Sequence, residues 1–293
     1  MISNRPFALD PTAAPAAPQA KPSPALVAQH LWQKTVSAAL GTDEGREGSF
    51  WLSPPGPTLD NDLLLLLQQS LDQAVPVQSG PLSLGSNAGY QPLFEAAGAR
   101  TGLAPALLAA IVGAEAESRN GAWDPNSRNP RSSAAGLTQF LDSTWIGEAQ
   151  RPGTYLNGVA QANGWLTAQG RIAPQAREAL LDLRFDPRAA IEAGADYARG
   201  NLDELQARGL LRGDEDPQTQ ARAAYLAHHL GVADAARFLG QGIAPGRAAT
   251  LLSAQIGGGA AAQRISAAGN ATEAHRDWLN DYVNRKIDLT RYT

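Results

Sequence analysis

The chain has 293 residues, of which 43% are hydrophobic, and it carries a net charge of −4 and no cysteine. A chain of this length can bury one large core and a smaller second one. The lack of cysteine excludes a disulfide framework and a thiolate metal site. The mildly acidic balance argues against a nucleic-acid-binding protein, in which a basic patch would be expected.

The first part of the chain is predicted to contribute little to that core. Residues 1–23 are rich in alanine and proline and are predicted to be disordered. Residues 24–85 predict two helices and then a linker rich in glycine, serine and proline. The start of the chain has no continuous apolar stretch, so we expect no Sec signal peptide. The run Leu63–Leu67 is too short to span a membrane.

A helix is predicted over Ala104–Ser118, and it carries two glutamates near its end. Pro105 suits the first turn, and Glu115 continues the apolar face of the helix. Glu117 continues a row of small residues, which would let another segment or a sugar approach closely. Glu117 would also lie in the last turn, where the helix dipole and partial burial favour the protonated form that a general acid needs. The row of small residues consists of Ala110, Gly113 and Ala114.

Two further motifs follow this helix. A loop rich in Pro, Asn and Ser leads into Gly136–Gln139, with the sequence Gly-Leu-Thr-Gln, and the next helix is predicted to be capped by Asp142. Tyr225–Gly231 reads Tyr-Leu-Ala-His-His-Leu-Gly. Together with Glu117-Ser118, these segments resemble, in order, the motifs of the lysozyme-like lytic transglycosylases, which cut the glycan strands of peptidoglycan.

The resemblance covers about residues 90–240 and implies both a fold and a reaction. The implied fold is all-α, with at most a short β-hairpin near residues 134–140 and with extra helices at both ends of the lysozyme-like domain. The implied reaction is cleavage of the MurNAc-β-1,4-GlcNAc bond. A single glutamate protonates the glycosidic oxygen, and the 6-hydroxyl of the sugar closes on C1 to give a 1,6-anhydro end. The chain departs from the family at Thr138, where Met is usual, and at Leu226, where Asn is usual.

The same resemblance assigns the site. Glu117 is the implied catalytic acid, and Glu115 is the alternative, because Ala110-Ile111 before it resembles an Ala-Ile-x-x-x-Glu lead-in. Structural roles stay open for the substrate-binding candidates, as hydrogen bonds that close a loop or as a buried hydroxyl. The predicted substrate-binding residues are Ser133, Thr138, Gln139, Phe140, Tyr225 and His228.

No cofactor and no metal is expected. The neighbours His228 and His229 would point about 100° apart on a helix, so they could not readily chelate one ion. A hydrolase of this fold would usually need a second carboxylate. Asp124 is predicted to be a turn residue and Asp142 a helix cap, which leaves neither as an obvious partner and favours the lyase.

The sequence predicts four regions along the chain. Residues 1–23 form the tail, 24–85 the N-terminal helices and linker, 86–242 the lysozyme-like domain and 243–293 a C-terminal helical extension. Within the extension, 257–262 are predicted to be a flexible break. The helix after it, Thr272–Ile287, has an apolar stripe that is predicted to pack on the main domain, with a lid or a partner-docking helix as alternatives.

Two other functions stay open at this point. One is a lysozyme-type muramidase on the same fold, and the other is a glycan-binding accessory protein of a secretion system or virion. Without a signal peptide, the protein is expected to be made in the cytoplasm and delivered to the periplasm or cell wall by a phage or a secretion apparatus. The expected partners are therefore peptidoglycan glycan strands and a delivery component, without nucleic acid or a membrane span.

Overall fold

The computed structural model describes residues 82–116, 118–130 and 132–293, and this part of the chain is mostly helical. The all-α class is therefore confirmed for these residues, whereas the predicted tail 1–23 and the helices predicted within 24–75 lie outside them. The helices are α1 (Gln91–Thr101), α2 (Pro105–Glu115), α3 (Asp142–Gln150), α4 (Tyr155–Ala162), α5 (Arg177–Asp182), α6 (Pro187–Ala207), α7 (Pro217–Leu230), α8 (Val232–Leu239), α9 (Pro245–Ile256), α10 (Gly258–Ala268) and α11 (Ala271–Lys286). Short 3₁₀ turns lie at Gly85–Tyr90, Pro174–Ala176, Leu183–Phe185 and Leu289–Arg291.

Local signals set the starts of α6 and α7. Asp186 caps α6 by accepting a hydrogen bond from the backbone N–H of Ala189 at 2.7 Å, and Asp216 caps α7 in the same way. Each is followed by proline, whose fixed φ suits the first turn. The sequence predicts helices over 217–230 and 232–239, each closed by a glycine, and these bounds are confirmed, with Gly231 at φ 76° between α7 and α8.

The helix α2 ends earlier than predicted. Its last residue is Glu115, Ala116 is extended, and Ser118 already belongs to a strand, so the prediction of a helix through Ser118 is wrong. The strands β1 (Ser118–Arg119) and β2 (Ala122–Trp123) pair antiparallel across Asn120 and Gly121, which have φ of 54° and 82°. Asn-Gly favours this two-residue hairpin turn because both residues tolerate positive φ. The hairpin therefore takes up the segment in which the helix was expected to continue.

Two other predictions about helix ends are also corrected. Asp142 does not cap α3 but is its first residue, and its carboxylate accepts a hydrogen bond from Arg184 at 2.6 Å. Residues 257–262 are not a flexible break, because only Gly257, at φ 83°, separates α9 from α10. The alanine-rich helix α10 packs on both of its neighbours, and this packing supports a helix that begins with glycine.

A hairpin was expected near residues 134–140, but the two-stranded hairpin of the described residues lies earlier, at β1 and β2, and only isolated bridges form elsewhere. Ala135 and Phe140 form an antiparallel bridge across the Gly136–Gln139 turn, and Leu166 and Ile172 form another within the segment 160–178. Neither is longer than a single bridge. The helices therefore supply almost all of the packing.

The described residues form one large core and one smaller core, as the composition predicted. The large core runs from Leu84 to Leu289 and includes most of α2, α7 and the C-terminal helices. The smaller core surrounds Phe140 and Trp145. The indole N–H of Trp145 is satisfied inside it by donating to the carbonyl of Leu180 at 2.8 Å.

The C-terminal helices pack on the rest of the chain. On α11, Trp278, Leu279 and Val283 are buried in the large core, which confirms the prediction that this stripe is buried. After α11 the chain returns to α2. There Tyr292 packs so closely against Gly113 that a Cβ added to the glycine would overlap the tyrosine hydroxyl. The row of small residues on α2 thus admits the C-terminal segment.

No single helix in the described ranges is long and apolar enough to cross a membrane. One pair, Gly85–Thr101 with Pro105–Glu115, reaches the length and composition together but bends by 120° between its halves.

The burial of His275 predicts how stability depends on pH. Its side chain is 1% exposed, and its Nε2 has no hydrogen-bond partner in the part of the chain that the structure describes. Burial lowers the pKa of His275 from 6.5 to about 4, against the opposing charge of Asp234. The unfolded chain binds this proton more readily, so the stabilisation is complete above the unfolded pKa and is lost as pH falls toward the folded pKa.

We therefore expect the free energy of unfolding in urea to fall by up to about 3 kcal/mol between about pH 7 and pH 4.5 because of this group. The variant His275→Gln cannot titrate and should show a flatter dependence on pH. The same slope in the variant and the wild type would contradict this account.

Candidate functional site

Glu115 lies where α2, α7 and α11 meet. It is the last residue of α2, and it is only 5% exposed. Its charge acts on Tyr225 and His228 of α7 and on Tyr282 of α11. Glu115 is thus the glutamate that occupies the last turn of α2.

Glu117, which the sequence predicts to be the catalytic acid, lies outside the described residues. Its assignment stays a prediction. The two residues that flank it are known, because Ala116 is extended and Ser118 pairs with Trp123 in the hairpin.

Tyr225 places a buried hydroxyl beside Glu115. Its side chain has no exposed surface, and its oxygen meets no partner at hydrogen-bonding geometry among the residues described. Burial and the nearby charge of Glu115 raise the pKa of Tyr225 well above its ordinary value of 10. The phenol therefore keeps its proton at all physiological pH values and can donate it to an ionised carboxylate.

His228 forms one wall of the site together with three aromatic rings. It lies edge-on to Phe140 at 5.7 Å and to Tyr197 at 5.6 Å, and it stacks on Tyr225 at 6.5 Å between ring centroids. Burial lowers the pKa of His228 below 6.5, although the charge of Glu115 opposes this. The ring is therefore neutral near pH 7, and the wall beside Glu115 is aromatic and uncharged.

The Gly-Leu-Thr-Gln turn is held by its own side chains. Gln139 has φ of 48°, which is uncommon for a residue with a side chain. Its Nε2 donates to the Ser127 hydroxyl at 3.0 Å and to the Gly136 carbonyl at 2.8 Å. Gly136 has φ of 73°, and a Cβ there would overlap the carbonyl of Arg184. Only glycine fits this close approach, which explains the residue type at the start of the motif.

Arg184 also holds this loop in place through hydrogen bonds. Its side chain is buried, and Nη1 donates to the Ser133 carbonyl at 2.6 Å, to the Phe140 carbonyl at 3.3 Å and to the Asp142 carboxylate at 2.6 Å. The Ser133 hydroxyl accepts from the backbone N–H of Asp142 at 3.2 Å. Ser133 therefore takes the capping role at the start of α3 that was predicted for Asp142.

Thr138 is packed inside the molecule. It is 1% exposed, and a Cβ added to Gly194 of α6 would come within 3.0 Å of its methyl group. Its hydroxyl has no hydrogen-bond partner among the described residues. The glycine in α6 therefore allows this close packing.

The predicted site residues therefore fall into two groups. Glu115 acts on Tyr225 and His228, and Phe140 joins this group through its contact with the His228 ring, whereas Thr138 packs against Gly194 and Glu117 lies outside the described residues. Ser133 and Gln139 lie in the adjoining loop, where they make hydrogen bonds that close it.

Three residues near the site were missed or not assigned to it from the sequence. Tyr197, on α6, contacts the ring of Phe140 at 5.4 Å between centroids. Arg184 holds the motif loop, and Tyr282 was recognised only as part of an apolar stripe. Their positions depend on which helices pack together, although the spacing of Trp278 and Tyr282 did indicate that one face of α11 is buried.

In the described part of the chain, no group of three or more His, Asp or Glu residues lies close enough together to hold a metal ion. A scan against protein-family models finds no match to the chain, and a search of curated proteins finds none either.

Proposed function

We propose that the protein is a peptidoglycan lytic transglycosylase that uses Glu115 as its single acid and base. The proposal joins the motif resemblance in the sequence to the arrangement of side chains around this glutamate. The sequence favours Glu117 as the acid and keeps Glu115 as the alternative. We choose Glu115 because its charge acts on the buried phenol of Tyr225 and on the ring of His228.

The observation that carries the proposal is the pairing of Glu115 with Tyr225. The tyrosine belongs to the Tyr225–Gly231 motif, which was singled out from the sequence alone. In the family that this motif resembles, the tyrosine hydroxyl approaches the catalytic carboxyl group. Here the charge of Glu115 acts on the buried hydroxyl of Tyr225, although the two residues lie far apart in the chain.

These residues can carry the reaction without a second carboxylate. Protonated Glu115 gives its proton to the glycosidic oxygen, and the bond from this oxygen to C1 of MurNAc breaks. The 6-hydroxyl oxygen of the same sugar then bonds to C1, and its proton passes to the Glu115 carboxylate. The acid is thereby restored, and the products are a 1,6-anhydro end and a free 4-hydroxyl group. Tyr225 stabilises the carboxylate between these two steps by donating its O–H.

The neighbouring aspartates are engaged elsewhere. Asp124 accepts a hydrogen bond from the backbone N–H of Asn126 at 2.9 Å, as predicted for a turn residue. Asp142 is paired with Arg184 at 2.6 Å. Neither arrangement resembles that of a nucleophile or of a base that activates water, which supports the lyase over the hydrolase.

The products of digestion test the proposal. Purified sacculi incubated with the protein should release muropeptides with 1,6-anhydroMurNAc ends, which mass spectrometry identifies as one water lighter than reducing ends. Reducing ends would show a muramidase instead. Intact sacculi that retain bound protein would show a glycan-binding protein without activity.

A further inference from the structure

We propose that Tyr282, on the C-terminal helix α11, is a positioning residue for Glu115 that acts through the hydroxyl of Tyr225. The inference deepens the proposed function and rests on it. It assigns part of the site to the C-terminal extension, beyond the segment 90–240 in which the motifs lie.

A column of stacked rings connects the site to the extension. Tyr225 stacks on His229 at 5.5 Å, His229 on Tyr282 at 5.4 Å, and Tyr282 on Trp278 at 5.2 Å between ring centroids. The interplanar angles within the column are 28° or less. Tyr282 is thus held between His229 and Trp278, and its orientation is set by packing on both faces.

The two phenols and the carboxylate form one group. Among the residues described, the buried Tyr225 oxygen has no partner at ideal geometry, and the polar groups that act on it are the Tyr282 hydroxyl and the Glu115 carboxylate. An ionised carboxylate accepts more strongly than a phenol oxygen. Once Glu115 has lost its proton, Tyr225 therefore donates to Glu115, and Tyr282 donates to Tyr225.

Two hydrogen bonds in series strengthen the one that Tyr225 donates to Glu115. In a low-dielectric interior, a donor that is itself an acceptor of another hydrogen bond is polarised and donates more strongly. Burial, together with the charge of Glu115, raises the pKa of Tyr282 to about 12, so its proton is retained throughout the working range. The hydroxyl of Tyr282 thereby stabilises the Glu115 carboxylate that forms when the glycosidic oxygen is protonated.

The histidine that stacks on Tyr282 does not titrate in that range. Burial lowers the pKa of His229 well below 6.5, so this ring stays neutral near pH 7. Arg285 and Lys286 lie on the same helix as Tyr282, and the Lys286 Nζ lies 6.0 Å from the Tyr282 ring centroid. A change in the pH profile after removal of the Tyr282 hydroxyl would therefore come from the group that contains Glu115 and Tyr225.

The variant Tyr282→Phe tests the inference, because it keeps the ring and both stacking contacts but removes the hydroxyl. Loss of a hydrogen bond that favours the ionised form should move the alkaline limb of the pH–activity profile upward by about half a unit to one unit. Tyr292→Phe is the matched control, since it removes another phenol oxygen that packs against α2, at Gly113. A profile for Tyr282→Phe that coincides with that of Tyr292→Phe would overturn the inference.

A second measurement needs no substrate and separates this inference from the proposed function. In a double-mutant cycle, Tyr282→Phe and Tyr225→Phe are combined, and urea midpoints are compared. The inference requires that removal of the Tyr282 hydroxyl shift the midpoint less in the Tyr225→Phe background than in the wild type. Equal shifts in both backgrounds would overturn it. If the wild type released no anhydro-muropeptides, the proposed function would fail while the cycle still reported whether the two phenols are coupled.

Discussion

Replacing Glu115 by Gln is expected to slow the clearance of purified cell walls by about 10²–10⁴-fold, the usual contribution of general acid catalysis. Glutamine keeps the shape of the side chain and much of its hydrogen bonding, but it has no proton to transfer. The rate of turbidity loss measures the effect, and a melting curve shows that the variant is folded. Glu95→Gln, which alters an exposed carboxylate on α1, is the control and should keep the wild-type rate.

Glu117→Gln decides between the two glutamates. The sequence predicts that Glu117 is the acid, and the surroundings of Glu115 support the alternative. A loss of about 10²–10⁴-fold in Glu117→Gln, with Glu115→Gln within a few-fold of wild type, would return the role to Glu117.

Replacing Phe140 by Ala is expected to lower the free energy of unfolding by about 3–5 kcal/mol. The ring is 2% exposed and is contacted by the rings of Trp145, Tyr197 and His228. Its removal would open a cavity between the motif loop and α7. Urea unfolding followed by circular dichroism measures the loss.

Two comparisons sharpen the result for Phe140. Phe140→Leu fills much of the same space and should lose clearly less than Phe140→Ala. Leu239→Ala changes a leucine that is 37% exposed, and it should stay within about 0.5 kcal/mol of wild type. A cost below about 1 kcal/mol for Phe140→Ala would show that the smaller core tolerates the cavity, contrary to the usual cost of truncating a buried ring.

The sequence by itself determined most of the helices and the residues that end them. Asp186 with Pro187, and Gly231 between α7 and α8, act within one turn of the chain, so their effect does not depend on distant partners. The Asn120-Gly121 pair is an equally local signal, and it explains why α2 stops at Glu115. The motif at Gly136–Gln139 was also recognisable, because it resembles a family motif, although the close approach of the Arg184 carbonyl that requires its glycine is tertiary.

Only the tertiary structure decided which side chains surround Glu115. Tyr225 and Tyr282 come from helices far along the chain, and the stacking of His229 between them depends on how α7 and α11 pack. Periodicity indicated that one face of α11 is buried, but it could not say which residue of that face approaches a carboxylate. The end of α2 also sets which glutamate occupies its last turn. Burial and proximity arise only when distant segments pack, and these two properties give Glu115 its surroundings.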